Sequence, residues 1–99
     1  KTDKRAQRQA AAALRQQLAP LRKHADKLEK QLDTIQKELT ALETVLADNS
    51  LYEQAQKDQL KQHLSTQSEL LQQQAQLEET WLNSLEELEA LQSELEANL

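Results

Sequence analysis

Few side chains in this sequence could do chemistry, and their spacing argues against catalysis. His24 and His63 are the two histidines. On two helices folded back to back they would lie about twelve residues apart, roughly 18 Å at helical rise, too far to share an ion. Both read as solvent-facing flank residues. The carboxylate pairs Glu78-Glu79 and Glu86-Glu87 are adjacent in sequence and point apart on a helix, so they serve solubility and not acid–base work. No cysteine is present, which removes disulfides, thiolate metal sites and a cysteine nucleophile. Glycine is also absent. Phosphate-cradling loops need glycine so that backbone amides can approach closely, which excludes a P-loop or a dinucleotide fingerprint. The expectation is a non-enzyme, with no catalytic residue, metal ligand or cofactor site in this chain.

What remains is a block of positive charge. Lys1, Lys4, Arg5, Arg8, Arg15, Arg22 and Lys23 stand with one acid, Asp3, giving +6 over residues 1–23. Residues 24–99 carry five bases and sixteen acids, or −11, and the two together make the chain's −5. From Ser65 onward there are eight acids and no base. The candidate contacts for nucleic-acid phosphates are Lys4, Arg5, Arg8, Arg15, Arg22 and Lys23. Lys4, Arg8, Arg15 and Arg22 recur at steps of four and seven, so a helix aligns them along one side. Arginine outnumbers lysine four to three in the block, which suits phosphate contact. The bland alternative is a solvated face whose charges pair across to the acidic half, Arg15 with Glu89 for example. Such exposed pairs are worth under about 1 kcal/mol each.

Helices must carry these groups. Leu, Gln and Ala fill 49 of the 99 positions, and there is one proline, one valine and one isoleucine. Sheets need glycine at turns and β-branched or aromatic residues in strands, so every sheet class is excluded. The composition is that of coiled coils and long helices. The longest apolar run, Ala10 to Leu14, falls far short of the ~20 residues that span a bilayer. Neither a membrane helix nor a signal peptide is expected. With no methionine, even at the start, the sequence reads as a piece of a larger protein.

Leu14, Leu18, Leu21, Ala25, Leu28, Leu32, Ile35, Leu39, Leu42 and Leu46 form an unbroken heptad seam. Asp48-Asn49-Ser50 is the cluster of turn-forming residues, and Ser50 with Glu53 reads as a capping box that opens a second helix. The second seam is Leu60, Leu64, Gln67, Leu71, Gln74, Glu78, Trp81, Leu85, Leu88, Gln92, Leu95 and Leu99. The fold class expected is all-α, a monomeric antiparallel two-helix coiled-coil hairpin turning at about 48–52. Each helix would run about 45 residues, or roughly 65 Å. Pairing residues whose numbers total 99 sets Leu18 against Trp81, Leu28 against Leu71 and Ala25 against Gln74. The alternative is one helix that continues through residue 50 and dimerises with another chain.

Pro20 lies within the first seam without breaking its phase, which predicts a kinked helix. Residues 1–19 then form a basic arm or linker from the parent protein, and residues 20–99 form the hairpin. Leu70, Leu77 and Leu91 flank the second seam at heptad multiples. They either lean over the polar layers at Gln74, Glu78 and Gln92 or make a docking ridge for a third helix.

Four segments carry a resemblance: Pro20-Leu-Arg-Lys23, Lys27-Leu-Glu-Lys30, Leu46-Ala-Asp-Asn-Ser-Leu-Tyr-Glu53, and Trp81 with the Leu-Glu repeats after it. Over about residues 4–99 the sequence resembles the C-terminal domain of ABC-F ATPases of the Uup type. Those are soluble bacterial proteins with two ATP-binding cassettes, a linker between them and a coiled-coil tail. The resemblance implies a cytoplasmic, ribosome-associated parent that acts in translation, with a tail that binds DNA or ribosomal RNA. It also implies ATP and Mg on the parent's cassettes, which would be partners of this tail. None of that ATP chemistry is carried by residues of this chain.

Overall fold

A computed structural model describes residues 3–97, so Lys1 of the basic block and Leu99 of the second seam lie outside the described residues. Helix α1 runs Lys4–Leu46 and helix α2 runs Lys57–Ala97, with two 3-10 turns between them, Asn49–Tyr52 and Gln54–Gln56. The fold is an all-α helical hairpin, with no strand among the described residues.

Asp3 caps the start of α1. Its carboxylate accepts from the Arg5 backbone N–H at 2.9 Å, and its carbonyl accepts from the Gln7 N–H at 3.1 Å. This satisfies donors that a helix start leaves without intrahelical partners. The helix passes through Pro20 without ending. Proline there withholds one backbone donor, and its exposed position lets water reach the carbonyl left over. The seam expected of α1 is the one observed. Leu18, Ala25, Leu28, Ile35, Leu39 and Leu42 are buried, and Leu14, Leu21, Leu32 and Leu46 are half-buried. Leu18, at 1% exposure, lies on the N-terminal side of Pro20, so packing extends into the stretch expected to be an arm.

The turn differs from expectation. Helix α2 opens at Lys57 and not at Ser50, so residues 47–56 link the two helices. Ser50 does not cap α2, which begins seven residues later, and its hydroxyl instead donates to Asp48 Oδ1 at 2.9 Å. The Ser50 N–H donates to the same oxygen at 3.0 Å, which makes Asp48 the cap of the first 3-10 turn. Leu51 is buried beneath this turn, and the Tyr52 hydroxyl donates to the Leu46 carbonyl at 2.7 Å. That bond satisfies one of the carbonyls left free at the end of α1.

A longer link moves the register. The chain packs as two units, one formed by residues up to 29 and from 80, the other by residues 30–79. In the 30–79 unit the Gln74 side-chain amide donates to the Gln36 side-chain carbonyl at 2.9 Å, a pair whose numbers total 110 and not 99. The half-buried positions of α2 there are Leu60, His63, Gln67, Leu70, Gln74 and Leu77. That bond places Gln74 beside Gln36 on α1, eleven residues beyond Ala25. The expected pairing of Ala25 with Gln74 is overturned, and Leu28 with Leu71 falls with it.

The phase of α2 is corrected as well. Leu64 and Leu71, expected inside, are 46% and 50% exposed, and Glu78 is exposed. Leu70, Leu77 and Leu91, the possible docking ridge, are half-buried seam positions of α2. In the other unit the expected seam positions Trp81, Leu85, Leu88, Gln92 and Leu95 are all half-buried, joined by half-buried Leu91 and buried Ser84. Ser84 and Ala25, two small residues of this unit, are 8% and 4% exposed.

Candidate nucleic-acid interface

The basic block lies on the first six turns of α1, within the unit formed by the two ends of the chain. Lys4, Arg5, Arg8, Arg15, Arg22 and Lys23 are all exposed. Arg8, Arg15 and Arg22 repeat every seventh residue, which sets them along one side about 10.5 Å apart, with Lys4 one turn before Arg8. Lys4 to Arg22 covers roughly 27 Å of helix. Arg5 and Lys23 begin and end a second row, turned about a quarter of the way round the axis. A shallow groove on this face is lined by Arg5, Arg8, Gln9 and Ala12.

The inward side of the same turns holds Leu14, Leu18 and Leu21, so the rotation of α1 is fixed by its seam. The basic side chains are thereby held on the flank and the outer face. Asp3, the one acid among the first 23 residues, spends its carboxylate on the Arg5 backbone N–H at the helix start.

Among the described residues the ion pair formed is Lys37 with Asp33 at 3.1 Å, four residues apart on α1 and largely exposed. The expected pairing of Arg15 with Glu89 does not occur. The six candidate cations thus keep their charge free of ion pairs with described residues.

The histidines fall apart. His24 is exposed in one unit and His63 is half-buried in the other. Among the described residues no group of three or more His, Asp or Glu comes together as a metal site. No helix among them is long and apolar enough to cross a membrane.

One concavity escaped the sequence reading. At the turn, Thr44, Val45, Asp48, Ser50, Gln59 and His63 are among the residues around a single cavity. Asp48 is held below the ordinary carboxylate value by the Ser50 N–H, and then by the Ser50 hydroxyl, both of which favour its charged form. Periodicity could not have found this cavity, because Gln59 and His63 reach it only through the geometry of the link.

Comparisons of the chain with family models, with curated proteins and with solved structures return no match.

Proposed function

We propose that this hairpin is a non-catalytic C-terminal accessory domain of an ABC-F ATPase, binding DNA or ribosomal RNA through its basic end. The observation that carries the reading is the exposed row Lys4, Arg8, Arg15 and Arg22, which has no ion-pair partner among the described residues. Exposed cations aligned on a rigid helix release counterions when they meet a phosphate backbone, and that release is the main source of sequence-independent affinity. The quoted segments that resemble the Uup-type tail support a cytoplasmic parent working at the ribosome. ATP and Mg belong on that parent's cassettes, since a chain without glycine has no loop to cradle phosphates.

A salt titration tests the proposal. With about four phosphates neutralised, log affinity for duplex should fall against log salt with a slope near −3.6. Binding should be weak and independent of sequence, because the block makes no base-specific arrangement and acidic residues of α2 share its unit. No detectable binding at ~50 mM salt would leave the second reading, a spacer or protein-interaction hairpin without a nucleic-acid role.

A further inference from the structure

The seam uses only part of α2 in the 30–79 unit. Lys61, Leu64, Ser68, Leu71, Ala75 and Glu78 recur at steps of three and four, so they share one stripe of the helix. That stripe lies roughly 100° round the axis from the half-buried seam positions. All six residues are exposed, and Leu64 and Leu71 keep 46% and 50% of their surface in water. Between its two charged ends the stripe alternates large and small: Leu, Ser, Leu, Ala. Steps of three and four with leucine at alternate places are the pattern of a helix–helix seam.

We propose that this stripe is the contact surface for a second copy of the chain, laid antiparallel on it about a two-fold axis midway between Ser68 and Leu71. A two-fold contact brings the same patch of both copies together, so each pairing occurs twice. In this register Leu64 meets the partner's Ala75, and Leu71 meets the partner's Ser68. Every inner layer then sets one leucine against one small residue, which lets the helices interlock. The Ser68 hydroxyl can turn to the carbonyl four residues back, so it carries no unpaired donor into the contact. At both ends Lys61 meets the partner's Glu78. Neither residue makes an ion pair with a described residue of its own chain. They stand seventeen positions apart on one helix, about 26 Å, so they can pair only between copies.

Charge selects this arrangement over its competitors. A parallel pair would set lysine on lysine and glutamate on glutamate. Sliding the antiparallel pair by one heptad would set Lys61 against the partner's Leu71, or Glu78 against the partner's Ser68, and would leave those charges unmatched. Opposed charges at the ends of an apolar stretch fix orientation and register in this way. The contact is short, and interfaces under about 1,200 Å² are weak and transient. The expected monomer thus becomes one member of a concentration-dependent equilibrium. The proposal is independent of the nucleic-acid reading, and its test contains no nucleic acid.

Sedimentation velocity on the 99-residue chain, from ~10 μM to ~1 mM, reads the association directly, since Kd values up to about 1 mM fall in reach. The expected result is a shift toward twice the 11.3 kDa chain mass as concentration rises. Lys61→Glu and Glu78→Lys should each weaken the dimer about tenfold or more, because symmetry makes both ends repulsive. The double swap, Lys61→Glu with Glu78→Lys, should restore it. Glu78→Lys moves the net charge from −5 to −3, so a general relief of repulsion predicts the opposite result. Ala75→Glu should abolish association, while Gln73→Glu, the same charge change on the far side of α2, should leave it intact. Circular dichroism checks that each variant keeps its helices, and these positions are all exposed. A chain that stays monomeric at ~1 mM overturns the proposal, as it would if the stripe served a different protein. Single swaps without effect, or a double swap that fails to recover, overturn it equally.

Discussion

The Gln74 side-chain amide reaches the Gln36 side-chain carbonyl at 2.9 Å across 38 positions of sequence. This contact reports where the two helices meet, and it explains why a glutamine is tolerated on a leucine seam. Gln74 is half-buried, and its amide finds its acceptor on the exposed Gln36. Net hydrogen bonds of this kind contribute about 0.5–1.5 kcal/mol.

A double-mutant cycle on this pair is therefore informative. Gln36→Ala should destabilise the hairpin by about 0.5–1 kcal/mol, and the coupling to Gln74→Ala should be of similar size. Thermal melts of the four proteins give both values. Additive effects would mean that the bond contributes nothing in solution.

Adjacent leucines distinguish the two phases of α2. Leu70 is half-buried and Leu71 is 50% exposed. Leu70→Ala should cost about 1.5–3 kcal/mol and Leu71→Ala less than about 1 kcal/mol. Leu18→Ala, at a position 1% exposed, should exceed both at about 3–4 kcal/mol. Denaturant midpoints at constant slope measure the ranking, and a larger loss at Leu71 than at Leu70 would return α2 to the other phase.

The turn should respond to acid through Asp48. Its carboxyl is held below the ordinary value of 3.8 by bonds from the Ser50 N–H and hydroxyl. A group whose folded value is depressed contributes fully above the unfolded value and loses its contribution as pH falls through the folded one. The Ser50 amide resonance should therefore shift with a midpoint below 3.8, and Asp48→Asn should abolish the transition. A midpoint at or above 3.8 would mean that the cap is not formed.

The basic row should set the salt dependence of binding. Arg8→Gln with Arg15→Gln should lower the magnitude of the log–log salt slope by up to about two units while helicity stays unchanged. Lys57→Gln with Lys61→Gln, in the other unit, should leave the slope alone. An intact slope after the arginine changes would reduce the block to a linker.

Composition and periodicity by themselves determined the helical class, the seam of α1 from Leu14 to Leu46, and the exposure of the six candidate cations. Each of these depends on a pattern within one helix, where a 3.5-residue repeat leaves one choice of inward face. Tertiary structure decided the rest. Two leucine rows run side by side on α2, and periodicity cannot say whether Leu70 or Leu71 turns inward, since the answer sums over every layer of both helices. The link was longer than the turn cluster implied, with Asp48 capping a 3-10 turn through Ser50 and α2 starting only at Lys57. The absence of an ion pair between Arg15 and Glu89 was likewise decided by where the folded side chains lie, because a direct ion pair needs an approach of a few ångströms that sequence spacing on two separate helices does not fix.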